Sequence, residues 1–229
     1  MLTLRFLATG DSYHSLSYTF RLGVSTISMI VTEVTKALAE KLAPLIKIAS
    51  NADEWREIAD GFEQKWQFPH TCGNKSMALI KYCNKIPHFI GAIDGKHITI
   101  RKPKKSGSLY YNYKGYFSIV LLAICDANLR IIYAHYGSFG SQGDAGIFGR
   151  SDFCALLNSG GNLFKPKIYC GHSGGLNLPE AAPLAGTESS CTYFFIGDGA
   201  FPLNHSMMKP YGGSTVTRVQ RTFNYRFEI

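Results

Sequence analysis

Acidic residues are scarce in this chain. Sixteen Asp and Glu stand against 24 Lys and Arg, a formal charge of +8 spread over 229 residues of which only 17% are charged. That sign points to an anionic partner, nucleic acid first and an acidic membrane surface second, with salt-sensitive binding if phosphates are the target. Paired cysteines are lacking too. Cys72, Cys83, Cys125, Cys154, Cys170 and Cys191 are scattered with no C-x-x-C step, which argues against a disulfide-built secreted domain. Three of them lie in apolar runs and read as buried thiols. Cys72 and Cys83 with His70 and His88 could be drawn as a zinc clip, although no paired motif supports it. No apolar run reaches the roughly 20 residues of a membrane helix, and MLTLRFLATG has no signal-type apolar core. The expectation is a protein of the cytosol or nucleus. Internal repeats and low-complexity segments are missing as well.

What is present begins with helices. Asp11 or Ser12 can cap a short helix through Phe20, with Leu16 and Phe20 on one face. A turn containing Gly23 follows, and Ser25 caps a second helix in which Ile27, Val31, Val34 and Leu38 recur at helical spacing until Pro44. Helix, glycine turn, helix over residues 11–42 is a helix-turn-helix pattern; an ordinary αα-hairpin scaffold reads the same way. Its exposed face, with Thr26, Ser28, Met29 and Thr32, has few of the side chains that read bases. Residues 52–66 form another amphipathic helix, striped by Trp55, Ile58, Phe62 and Trp66.

From residue 90 the pattern changes to strands. IGAIDGKHITI, residues 90–100, carries Asp94 with Lys96 and His97 beside it. Alternation puts Asp94 on one face with Ile90, Ala92, Ile98 and Ile100, and a carboxylate on an apolar face is costly unless a cation meets it. Asp94-Gly95 also has the form of a hairpin turn. After the basic loop RKPKKSGS, SIVLLAICD (118–126) reads as a strand buried on both faces. Asp126-Ala-Asn128 turns it back into LRIIYAHYGSFG as a hairpin. A helix is expected from Ala145 to Leu157, ended by Gly160-Gly161 and preceded by Asp144. Residues 161–191 read as surface loop, CTYFFIGDGAF (191–201) as a buried strand that runs out at Asp198, and the rest as polar and basic.

Strand, strand, strand, helix, loop, strand predicts a mixed α/β sheet, and Asp94, Asp144 and Asp198 all fall on or just past its strands, where ligand sites gather. Carboxylates converging without a His or Cys cluster suit a hard cation, Mg²⁺ or Mn²⁺. Each could instead cap a turn or helix on its own. Metal held by acids inside a basic protein is what phosphodiester cleavage in DNA requires.

The wording and order of LATGDSYHSLSYTFRLGVSTISMIV, DEWREIADGFEQKWQFP, IGAIDGKHITI, SGSLYYNYKGYFSIVLLAICDAN, GSQGDAGIF, LNLPEAAPLAGT, FFIGDGAFPLNHSMMKPY and FNYR resemble the PIF/Harbinger transposases and the nucleases domesticated from them. The resemblance implies a ribonuclease H-like fold, metal-dependent DNA strand cleavage, nuclear action and a Myb/SANT-like partner protein. Asp94 matches the family's first catalytic aspartate, Asp144 that of G-S-x-x-D-x-x-x-F, and Asp198 that of D-x-A-F; all three are expected at the metal. In ribonuclease H-like folds the second acid follows the fourth strand, the place of Asp198 rather than Asp144.

Three departures accompany the likeness. The family's catalytic glutamate lies on a helix beyond FNYR in an E-N-x-F-G setting, whereas this sequence closes on FNYRFEI, where Glu228 has the wrong context. HTCGNKSMALIKYCNKIPH and GNLFKPKIYCGHSG also look inserted. The resulting expectation is a helical region at 1–68, an irregular insertion at 69–89, and a catalytic domain at 90–229, truncated at its C-terminus. Two functions compete: a Mg²⁺-dependent DNA endonuclease, and a catalytically dead nuclear remnant that binds DNA or its partner.

Overall fold

The computed structural model describes residues 1–66, 88–158, 176–183 and 190–227. The chain divides into two compact units, Met1–Leu45 and Ile46–Ile229.

The first unit is helical. α1 (Leu2–Thr9), which the sequence patterns do not announce, precedes α2 (Tyr13–Phe20) and α3 (Val24–Leu42), and a 3-10 turn at Ala43–Leu45 follows where Pro44 stops the helix. Ser12 caps α2, its side chain accepting from the Ser15 amide. α3 begins one residue after Gly23 rather than at Ser25, because Gly23 itself takes the extended cap conformation. Arg21 closes α2 in the left-handed region at φ 53°, and the helix axis turns by 104° into α3. Such an angle lies in the range of helix-turn-helix pairs, about 90–120°. Leu2, Leu16, Ile27 and Val31 form the small core, with Phe6, Tyr13, Phe20 and Ile30 around it. Val34, placed on the buried stripe by spacing alone, is exposed.

The second unit is built on a sheet. It runs α4 (Ala52–Trp66), β1 (Phe89–Thr99), β2 (Ser118–Cys125), β3 (Ile131–Phe139), α5 (Asp144–Arg150), α6 (Asp152–Asn158), β4 (Ala182–Pro183), β5 (Ser190–Cys191), β6 (Phe194–Gly197), β7 (Met207–Met208) and α7 (Arg218–Phe227). The main sheet has the order β3-β2-β1-β6-β7, with β4 and β5 paired separately. β1 is antiparallel to β2 and β2 to β3, while β6 is parallel to β1 and β7 to β6. This is a ribonuclease H-like mixed sheet flanked by helices.

α4 belongs to this unit, not to the helices before it. Its stripe explains why: Trp55 and Ala59 are buried in the main core beside Ile90, Ile93 and Phe195, and Phe62 meets Phe89 and Phe194. The Trp55 indole N–H donates to the Leu176 carbonyl at 2.6 Å, so even its polar atom is satisfied. Asn51 caps the helix by accepting from the Glu54 amide at 2.8 Å, and Glu54 reaches back to the Ser50 amide at 2.8 Å, a reciprocal box.

Other expectations need correction. β2 is buried on one face only: Ser118, Val120, Leu122 and Ile124 are covered, and the residues between them are half-exposed. The β2–β3 hairpin forms as read, with Asp126 Oδ1 accepting from the amides of Asn128 and Arg130. The single helix expected after Asp144 is two. Ser151, extended at ψ 148°, breaks it and then caps α6 by accepting from the Cys154 amide at 3.1 Å. β7 and α7 arise in the stretch read as merely polar. Cys125, Cys154 and Cys191 are free and half-buried rather than buried, and burial pushes each thiol up. Of the expected insertion at 69–89, His88 and Phe89 are described and both are buried, with Phe89 opening β1 rather than lying in an irregular segment; the rest of both insertions, Cys72 and Cys83, Gly160-Gly161 and Glu228 lie outside the described residues.

A candidate metal centre

β1 is the middle strand, and its register builds the site. Ile93 pairs with Gly197, the last residue of β6. Asp94 therefore comes one step beyond the point where β6 ends, beside Asp198. The strand reading of IGAIDGKHITI holds and the alternative of an Asp-Gly hairpin turn falls: Asp94 and Gly95 are mid-strand, opposite Ala123 and Leu122 of β2. The face assigned to Asp94 is, however, not apolar and covered. Asp94, Lys96 and Ile98 are all exposed, and Ile90 is buried in the main core near a register shift between Phe89 and Gly91. Asp94 thus carries no burial cost of the kind the alternation suggested.

Asp144 opens α5. Its carboxylate lies against the backbone of β1 at Gly95, where a Cβ would approach Asp144 Oδ2 to 2.8 Å and Oδ1 more closely still. Glycine is the residue that leaves this space. Asp198 is fixed by its own turn: its Oδ1 accepts from the Ala200 amide at 2.9 Å and its carbonyl from the Phe201 amide at 3.2 Å. Phe201 is fully buried and meets Phe148 of α5 edge-on at 5.7 Å. One aromatic contact therefore ties the turn bearing Asp198 to the helix bearing Asp144.

The three predicted acids come together. One carboxylate oxygen from each of Asp94, Asp144 and Asp198 lies within 4.8 Å of the others. Asp94 Oδ1 also accepts from the Gly95 amide at 2.7 Å. Asp144 is half-buried, its Oδ1 has no hydrogen-bond partner among the described residues, and its carboxyl is raised above the ordinary 3.8. Burial is the largest cause, followed by the charges of Asp198 and Asp94; His97 and Lys114 oppose the shift. An orphaned buried oxygen facing two further carboxylates is a set of hard oxygen donors short of a cation, and it fits Mg²⁺ or Mn²⁺ in donor chemistry.

A model of the DDE superfamily endonucleases matches residues 93–228, more than half of the chain. The chain belongs to this family. Among curated proteins it is 26% identical to an ALP1-like protein of Arabidopsis thaliana over 97% of its own length and 47% of the relative's. It is 23% identical to the candidate nuclease HARBI1 of Xenopus laevis, over 99% of its length and 57% of the relative's. The chain thus spans about half the length of the curated relatives it matches. No solved structure matches it. Within this DDE frame, Asp94 stands on β1 one residue past its last pairing with β6, Asp198 directly follows the end of β6, and Asp144 reaches the same point from α5.

The residues that sequence reasoning missed are those that shape and surround the acids. Gly95 was read only as one residue of an acid-bearing strand, although its value is the space above it. His97 Nδ1 lies 2.9 Å from Ser118 Oγ, to which the buried Asn112 donates at 2.8 Å. The only sequence signal for this group is an Asn inside an aromatic, otherwise exposed loop, YYNYKGYF.

Proposed function

We propose that the protein is a transposase-derived, divalent-metal-dependent DNA endonuclease, with Asp94, Asp144 and Asp198 as its catalytic and metal-holding acids. The observation that carries this reading is the convergence of those carboxylates, one oxygen of Asp144 buried and without a hydrogen-bond partner among the described residues, in a chain of the DDE endonuclease family. When bound there, Mg²⁺ or Mn²⁺ would activate water and stabilise the leaving oxygen of a phosphodiester. The chain's own residues hold and orient. Gly95 leaves room for the Asp144 carboxylate, the Ala200 amide fixes Asp198, and the Gly95 amide fixes Asp94. Lys96 and the cations Arg101, Lys102, Lys104 and Lys105, all exposed, would hold the DNA backbone on this reading.

The nucleus is the proposed place of action, since the substrate is there. A Myb/SANT-like protein is the proposed partner for target recognition. The hydroxyl-rich exposed side of α3, with Ser25, Thr26 and Thr32, supports a division of labour in which this chain cuts and another reads bases.

Plasmid nicking is the direct test. Purified protein should nick supercoiled DNA in Mg²⁺ or Mn²⁺ and lose that activity in EDTA and in Asp94→Ala. Nicking that survives Asp94→Ala would place the chemistry elsewhere. Salt-sensitive DNA binding with no cleavage, unchanged in Asp94→Ala, would instead identify a binding protein of transposase descent.

A further inference from the structure

Between β1 and β2 the chain makes a projecting hairpin whose tip serves no core. Tyr113 at this tip is 82% exposed. Its backbone is nevertheless held firmly. Asn112, only 3% exposed, uses its Oδ1 to accept from the amides of Lys114 and Tyr116 at 3.0 and 3.2 Å, and its Nδ2 to donate to Ser118. The Asn112 amide donates to the Tyr116 carbonyl, and Tyr111 bridges to Phe117 below. A buried amide is thus used to fix the position of an exposed ring, which is preorganisation for something outside the fold.

The surroundings say what that something is. From Gly95 to Cys125 there are six cations, Lys96, Arg101, Lys102, Lys104, Lys105 and Lys114, and no acid; all six are exposed. Lys114 Nζ lies 5.4 Å from the Tyr113 ring centroid. The ring makes an edge contact with His97 at 5.6 Å, and both His97 and Lys114 act electrostatically on Asp144. His97 stands three residues beyond Asp94, on the order of 10 Å along a strand, which is about three phosphate steps of one DNA strand. A polyanion reaching the acids would pass the ring. The faces of bases within a duplex are already stacked, so an aromatic ring on a protein surface takes a base that has left the stack at lower cost than it wedges a paired step apart.

We infer that Tyr113 is a stacking platform for an unpaired base within about three nucleotides of the cleaved phosphate, so that the substrate is DNA opened near the cut rather than intact duplex. The inference rests on the nuclease reading and adds the form of its substrate. Lys114 supplies the phosphate contact beside it, and His97 and Asn112 are positioning residues.

The test compares a labelled duplex with the same duplex carrying a short gap, by fluorescence anisotropy, in the full chain with Asp94→Asn to prevent cutting. The gapped probe should bind more tightly. Adding Tyr113→Ala should weaken it about 5- to 150-fold, the usual loss for one base–aromatic stack, while leaving the intact duplex nearly unchanged; Tyr113→Trp should restore the preference. Circular dichroism of each variant checks that it is folded. Equal effects of Tyr113→Ala on both probes, or none on either, would overturn the inference and leave the nuclease reading standing. Failure of the parent protein to bind either DNA would overturn both.

Discussion

The Asp144 carboxylate occupies the space that a side chain on Gly95 would need. Helix α5 and strand β1 are therefore closer at this point than any residue but glycine permits, and the position of one acid depends on the absence of an atom 49 residues earlier in the chain.

Gly95→Ala should separate site from fold. The added methyl must push Asp144 away, at a cost of about 1–3 kcal/mol of the kind seen for overpacking. In a domain of this size that corresponds to a melting temperature lower by about 2–12 °C. The variant should fold, yet lose the stabilisation that Mg²⁺ or Mn²⁺ gives the parent protein in a thermal melt. Retained metal stabilisation would show that Asp144 is not a ligand.

Replacing Asp198 by Ala should reduce Mg²⁺-dependent nicking at least 10²-fold, more than the 10- to 100-fold typical of residues that only support a ligand. Its carboxylate is exposed, so stability should change little; its turn loses the bond to the Ala200 amide. Plasmid nicking and a melt on the same sample distinguish a lost ligand from a lost fold.

Asp144→Asn should stabilise the metal-free protein at pH 7. The folded-state carboxyl is raised by burial and by its two acidic neighbours, so ionisation costs the folded state. The unfolded chain, at its ordinary value, ionises freely. That cost is absent below the ordinary 3.8 and is fully present above the raised value. In EDTA, denaturant midpoints should favour Asp144→Asn at neutral pH, and the difference should shrink as pH falls towards 3.8. A constant difference across pH would trace the effect to something other than the charge.

Phe201→Ala should damage stability and site together. The ring is fully buried against Phe148, and its loss leaves a cavity costing about 3–5 kcal/mol. Phe201→Leu should recover most of the stability. If the ring also sets the Asp198 turn relative to α5, Phe201→Leu should still bind metal more weakly, as read by titration of the thermal shift.

The residues that were legible in the sequence share a property: their signal is local. Asp94 lies within a strand, Asp198 just past one and Asp144 at a helix start, places that periodicity and glycine-rich corners locate, and the β2–β3 turn is written in Asp126 to Asn128. α4 was legible as a helix but not as a neighbour of β1, because its stripe says only that something covers it. The break at Ser151 was missed because Gly149, Arg150, Ser151 and Asp152 can form a polar turn within one continuous helix, although a serine is also a favoured helix start. The role of Gly95 stayed hidden for a deeper reason, although its place on a strand was read. The Asp-Gly pair favours a turn locally, and only the arrival of α5 at that point makes the glycine a requirement of packing. β7 and α7 were missed because the first has two residues and the second a polar composition.

Asp94 and Gly95 are neighbours on a strand whose side chains alternate, and this has a consequence for folding fidelity. A slip of β1 by one residue against β2 and β6 would move Asp94 into the place of Gly95, directly onto the Asp144 carboxylate. Two like charges would then meet where burial already disfavours one. The acid cluster thus penalises the wrong register of the strand at the middle of the sheet, and helps select the alignment in which its own members meet.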